Sequence, residues 1–191
     1  MRKLIVFNNI SLDGYFTDAE GLLHWAHKSD PEWNEFTASN ASGGGVLVFG
    51  RKTYDMMAGF WPTAQATEMF PEVAEGMNNL PKVVFSRSMK EASWQNTRLI
   101  KDNIVEEMRK LKSEPGNDMV IMGSGTIVSQ FTQEGLIDEY HIVTHPIIIG
   151  KGRTMFEGVK EKVPLKRTKT RTFENGCVFV CYERFEAELQ L

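Results

Sequence analysis

The sequence predicts a three-layer α/β/α fold with a mainly parallel central sheet and an antiparallel hairpin at its C-terminal end. Three observations carry this expectation. Strand-like apolar runs alternate with helix-like segments in the early order β-α-β-α-β, which calls for right-handed crossovers between parallel strands. Two of those runs stop at a glycine and turn straight into a helix. Val46-Leu47-Val48-Phe49-Gly50 leads into Arg51-Lys52-Thr53-Tyr54, and Met119-Val120-Ile121-Met122-Gly123 into Ser124-Gly125-Thr126-Ile127. The last third alternates around Glu174-Asn175-Gly176, with Asn-Gly as the turn of a hairpin.

The elements follow in order. Leu4 to Ile10 is β-rich and closes on Ser11-Leu12-Asp13-Gly14, an Asp-Gly turn. Ser29-Asp30-Pro31-Glu32 supplies a capping residue, a first-turn proline and an acid, so a helix runs to about Ala41. Gly43-Gly44-Gly45 feeds the strand Val46 to Phe49, whose unbroken apolar character buries both faces. Lys52 to Met57 begins a helix that Gly59 and Pro62 end, and residues 63 to 79 give an ambiguous pattern with a helix around Glu72 to Met77. Lys82 to Phe85 and Thr97 to Ile100 are strands. Ile104, Met108 and Leu111 line one face of a helix. After the strand Met119 to Met122, the helix Ile127 to Gln133 stops at Gly135, a C-terminal capping glycine. His141 to Thr144 and Ile147 to Ile149 are strand-like on either side of Pro146. Leu165 to Phe173 and Cys177 to Phe185 form the hairpin.

The 191 residues suit one domain, large enough to bury roughly 70% of the unfolded surface. The net charge of −3 gives no reason to expect nucleic acid or an anionic membrane as partner. The basic run Lys166 to Arg171 alternates with threonine and reads as a solvated strand face. Cys177 and Cys181 lie too far apart along an extended strand to bridge, which suits small core residues in a reducing compartment. His24 and His27 have no further ligand at zinc spacing, so no metal site is expected. The N-terminal apolar stretch is too short for a signal peptide or a membrane span, and a cytoplasmic protein is the expectation.

Each glycine turn leaves unpaired backbone N–H groups at a helix N-terminus, where partial positive charge favours an anion. Arg51 and Lys52 add two cations at the first turn. Two such turns in one α/β domain fit a ligand with phosphates at two places. Ligands on such sheets bind beyond the carboxyl ends of the strands, where Gly50, Ser86 and Gly123 all fall. Each feature also has a plainer reading. Gly50 and Gly123 serve equally as ordinary turn glycines, and Arg51, Lys52 and Arg87 as solvated surface cations. Asp13 is read first as holding its turn. Trp25 and Trp33 are read first as core.

In this order the segments resemble the dihydrofolate-reductase-like superfamily over nearly the whole chain. Val48-Phe49-Gly50-Arg51-Lys52-Thr53-Tyr54 is similar to its cofactor turn, Val84-Phe85-Ser86-Arg87 to its adenosine-side strand end, and Met122-Gly123-Ser124-Gly125-Thr126 to its second glycine turn. Ser11-Leu12-Asp13-Gly14, and Gly135-Leu136-Ile137-Asp138-Glu139 leading to Pro146-Ile147-Ile148-Ile149-Gly150, resemble the reductase domain of riboflavin biosynthesis. The resemblance implies NADPH. It places Asn9, Ile10 and Phe16 at the nicotinamide and Gly50, Arg51, Lys52 and Thr53 at phosphate. Phe85, Ser86 and Arg87 fall at the adenosine 2′-phosphate, and Met122, Gly123, Ser124, Gly125, Thr126 and Ile127 at the pyrophosphate. Asp13, Trp25 and Trp33 would border a small-molecule substrate.

Two departures from the riboflavin branch stand out: Met122 replaces the usual Glu before the glycines, and Tyr15 the usual basic residue after Asp-Gly. A pterin reductase needs an acid in its first helix, where Asp30 and Glu32 are the candidates; either serves equally as a helix-terminal acid. The expected activity is that of a 5-amino-6-(5-phosphoribosylamino)uracil reductase. A dihydrofolate reductase and a non-catalytic nucleotide-binding domain are the alternatives. A homodimer is expected through edge strands near Ile142 to Ile149 and the terminal hairpin.

Overall fold

The computed structural model describes residues 1–26 and 30–185, with the backbone alone at Ser42. Its elements are β1 (Leu4–Ser11), β2 (Tyr15–Thr17), a 3-10 turn (His24–Ala26), α1 (Pro31–Ser42), β3 (Val46–Gly50), α2 (Arg51–Phe60), α3 (Ala64–Met69) and α4 (Pro71–Asn79). Then come β4 (Lys82–Phe85), β5 (Thr97–Ile100), α5 (Ile104–Ser113), β6 (Met119–Ile121), α6 (Gly125–Gln133), β7 (Glu139–His145), β8 (Arg153–Thr154), β9 (Leu165–Thr172) and β10 (Val178–Arg184).

Eight strands form one sheet in the order β5-β4-β3-β6-β1-β7-β10-β9. The first six run parallel, and the terminal hairpin joins antiparallel through β10 on β7. The α/β expectation with a parallel sheet and a closing hairpin is therefore met. One core, built from Leu4, Val6, Met108, Ile121, Val128 and Phe131, packs α5 and α6 against one sheet face. The other face carries two clusters, one around Phe49, Tyr54 and Trp94, and one around Val143, Phe173 and Phe179 beneath α1.

Several expectations need correction. Residues 63 to 79 form two helices, because the Thr63 side chain accepts from Ala66 N at 3.2 Å to cap α3 and Pro71 opens α4. Ile147 to Ile149 is no strand; it is a loop whose Ile147 carbonyl accepts from Leu12 N at 2.8 Å. β6 ends one residue early, at Ile121. Strand β7 is not an edge, since β10 covers its outer side, and the edge on that side is the basic, exposed β9 of the terminal hairpin. The two-residue β8, too short for any periodic signal, pairs with β2 in a separate small sheet. Ser29 and His27 lie outside the described residues.

Strand lengths position the cleft. β1 pairs with β6 only as far as Val6, whereas it pairs with β7 through to Ser11. The carboxyl end of β1 therefore projects past β6 beside the two glycine turns. At this point the chain reverses its direction of travel across the sheet, and such switch points form crevices.

Candidate active site

The two helix N-termini meet. Gly50 N donates to the Gly123 carbonyl at 2.8 Å, tying the start of α2 to the turn before α6. Neither helix has a side chain capping its first N–H groups. Glycine is required at the contact. A Cβ on Gly50 would lie 2.3 Å from Ser124 Oγ, and one on Gly123 would lie 2.7 Å from Thr53 Oγ1, at a φ of 121°. The Phe16 ring covers Gly125, close enough that an added Cβ would come within 3.1 Å of it.

The expected residues divide into two groups. Gly50, Arg51, Lys52, Thr53, Gly123, Ser124, Gly125 and Thr126 come together at the paired turns, with Phe16 against them. Arg51 and Lys52 are exposed, and Arg51 Nε bonds Asp55 at 2.5 Å, leaving the outer guanidinium nitrogens to solvent. Ser86 is buried at the carboxyl end of β4, its hydroxyl accepting from Met89 N at 3.1 Å. Arg87 next to it is exposed and has no ion-pair partner among the described residues. In contrast, Phe85 stacks edge-on against Phe131 in the core, and Ile127, Ile10 and Met122 also pack apolar side chains into core clusters. These four can offer a ligand little beyond backbone.

The substrate-side residues gather under α1 and the 3-10 turn. Asn9 Oδ1 lies 2.9 Å from His145 Nε2. The rings of Trp25 and Trp33 stand edge-on to His145 at 5.6 and 5.9 Å. Trp25 Nε1 and Asp30 Oδ2 are buried without a hydrogen-bond partner among the described residues. The other Asp30 oxygen accepts from Trp33 N and caps α1. Glu32 is held differently: its carboxylate receives Nε and a terminal nitrogen of Arg171, at 3.2 and 2.8 Å. That guanidinium lies over the Phe36 and Phe173 rings, so Glu32 belongs to the hairpin packing.

Asp13 accepts from Gly150 N at 2.8 Å and Ile149 N at 3.3 Å. The Ser11 hydroxyl and these amides hold its carboxyl below the usual carboxylate range. It therefore ties its turn to the loop after β7. Cys177 is buried in the core as the sequence suggests, whereas His145 escaped the sequence reading as a site residue, because a buried polar residue at a strand end carries no periodic mark.

The family model described as the RibD C-terminal domain matches residues 2–179. The chain belongs to that family. The uncharacterized protein YyaP of Bacillus subtilis is 32% identical over 181 residues, covering 95% of this chain and 94% of YyaP. A putative riboflavin biosynthesis protein from Shewanella superposes with a TM-score of 0.72 at 26% identity, covering 96% of this chain and 99% of that one. Dihydrofolate reductase from Enterococcus faecalis, solved with NADP(H), gives a TM-score of 0.64 at 16% identity, covering 95% and 96%. The RibD C-terminal domain here thus has the dihydrofolate-reductase-like fold.

No helix among the described residues is long and apolar enough to cross a membrane. No group of metal-binding side chains occurs among them either.

Proposed function

We propose that this RibD-type reductase domain binds NADPH across the joined glycine turns and reduces a small polar heterocycle. The observation that carries the reading is the Gly50–Gly123 junction, where the Ser124 and Thr53 side chains fill the space that a Cβ would need. The uncapped N–H groups of α2 and α6 would hold the pyrophosphate, and Lys52, Arg51 and Arg87 the outer phosphate. The bound cofactor would supply the hydride. Phe16 and the projecting end of β1 would keep the nicotinamide in place, and Trp25 and Trp33 would keep water from the acceptor.

On the substrate side, Asp30 is the acid with an oxygen left for a ring N–H, because Arg171 engages Glu32. Tyr15 lies in β2 and Met122 in the core, so the phosphoribosyl contacts expected of the riboflavin branch are altered. A pterin is the second substrate class, favoured by the unpartnered Asp30 oxygen. NADPH titration followed by cofactor fluorescence tests the reading, and absence of binding at millimolar NADPH removes it. Oxidation of NADPH with a phosphoribosylaminouracil, against dihydrofolate, separates the two substrate classes.

A cytoplasmic homodimer completes the proposal. Its contact surface would be Leu12 and Ile148, which stand exposed on two loops joined by the Leu12–Ile147 bond. A monomer mass by light scattering would dispose of the dimer.

A further inference from the structure

A buried chain of polar groups runs behind the candidate substrate cleft. Cys177 Sγ lies 3.4 Å from His145 Nδ1, and His145 Nε2 lies 2.9 Å from Asn9 Oδ1. Cys177 and His145 are both almost completely buried, at 0% and 1% exposure. Asn9 is half-buried, at the carboxyl end of β1 where that strand projects past β6. Among the described residues its amide nitrogen has no hydrogen-bond partner, and it is not among the buried unpartnered atoms, so it is accessible from outside. The edges of Trp25 and Trp33 wall the imidazole.

Hydrogen-bond chemistry gives this chain a direction. An amide oxygen only accepts, so His145 Nε2 must carry the proton. Nδ1 is then an acceptor in the neutral ring, and the Cys177 thiol is the donor that meets it. With its oxygen engaged, the Asn9 amide has its NH2 left to donate.

We propose that Cys177 and His145 are positioning residues that fix the Asn9 side chain as a hydrogen-bond donor. The ligand atom it recognises is a carbonyl oxygen conjugated to a ring. Two sources supply that chemistry, a pyrimidine-type substrate carbonyl or the nicotinamide carboxamide. The proposal rests on the reductase reading for its ligand, while the direction of the chain is a property of the protein alone.

The experiment has a ligand-free part and a ligand part. Nitrogen-15 NMR of histidine-labelled protein, with His145 assigned through His145→Gln, should show a protonated Nε2 and a pyridine-type Nδ1. Cys177→Ala should remove the bond at Nδ1 and shift that resonance. A protonated Nδ1, or a His145 signal indifferent to Cys177→Ala, overturns the chain.

In the second part, NADPH binding and 5,6-diaminouracil binding in the presence of NADPH are measured by calorimetry for the wild type and Asn9→Asp. This variant puts an acceptor where the donor stood. It should lower affinity by about 3- to 10-fold for the probe whose carbonyl it meets, as expected for one hydrogen bond. Loss for NADPH alone identifies the carboxamide, and loss for the uracil alone identifies the substrate. Retention of both affinities overturns the donor role. A wild type that binds no NADPH overturns the cofactor reading instead, and the ligand-free spectrum still decides the chain.

Discussion

Gly50 donates its backbone N–H to Gly123 at 2.8 Å, so two loops separated by more than a third of the chain share one rigid junction. The Gly123→Ala variant tests it. Its Cβ would meet the buried Thr53 side chain at 2.7 Å, on a backbone at φ 121° that alanine disfavours. A loss of about 1–3 kcal/mol in urea unfolding is expected from strain of that kind. NADPH affinity should fall with it. An unchanged midpoint would mean that the turn tolerates a side chain, and the cradle argument would fail.

The outer cations give a cofactor-specific prediction. Arg87 is exposed and has no ion-pair partner among the described residues, while Arg51 is partly held by Asp55. Charge-assisted bonds to phosphate are worth about 1.5–3 kcal/mol, and exposure places these at the lower end. Arg87→Ala should therefore weaken NADPH binding by about tenfold and NADH binding much less. Arg51→Ala should act in the same direction with a smaller effect. Equal losses for the two cofactors would argue against recognition of the 2′-phosphate.

The first-helix acids separate cleanly. Asp30→Asn keeps a good capping residue for α1 while removing charge from the unpartnered oxygen. Turnover should fall about tenfold or more, with thermal stability nearly unchanged. Glu32→Gln should do the reverse. It loses the ion pair with Arg171, which is half-exposed and worth about 0.5–1 kcal/mol, and leaves turnover alone. Steady-state kinetics beside thermal melts would settle the contrast, and a turnover defect confined to Glu32→Gln would reverse the assignment.

Much of this architecture is legible in the residues. Strand-glycine-helix signals at Gly50 and Gly123, the Asp30-Pro31 helix start and the Asn175-Gly176 turn rest on local backbone chemistry, and the structure has each of them. What escaped depends on distant contacts. Ile147 to Ile149 is an apolar, β-branched run like a strand, yet Asp13 holds the amides of Ile149 and Gly150 in a loop. The apolar run at β7 reads as an edge until the terminal hairpin covers it. Glu32 and Asp30 look equivalent in the sequence, and only Arg171, 139 residues away from Glu32, distinguishes them. His145 and Cys177 meet Asn9 only once β1, β7 and the hairpin turn are assembled.

Lys82 yields a pH prediction. Its buried ammonium donates to the carbonyls of Asn78, Leu80 and Gln95 at 2.9, 2.7 and 3.3 Å, closing the end of α4. Burial pushes its pKa down from 10.5 to about 8. Between those values the unfolded chain binds more protons than the folded one, so stability rises with pH through that window. Below about 8 both states are protonated and the desolvation cost is present in full. Urea midpoints of the wild type should therefore gain on Lys82→Met as pH rises from 8 to 10. A constant difference would mean that the three carbonyls hold the proton against burial.

The last prediction concerns Asp138. One of its oxygens, Oδ2, accepts from Leu4 N at 2.7 Å and also receives the Lys112 ammonium, whose side chain is only 10% exposed. Lys112 also donates to the Leu136 carbonyl at 2.6 Å. The segment Gly135 to Glu139 thus fastens α5 to the start of β1. The Asp138 side chain is 40% exposed and Lys112 is the buried member, so removing Asp138 alone leaves the ammonium its desolvation penalty. Asp138→Ala should destabilise by about 1–3 kcal/mol, and Asp138→Asn by less, since its oxygen still accepts from Leu4. Adding Lys112→Met to Asp138→Ala should recover part of the loss, giving a coupling visible in a double-mutant cycle. Strictly additive losses would show that Lys112 reaches water without Asp138, and that the motif acts through the Leu4 bond alone.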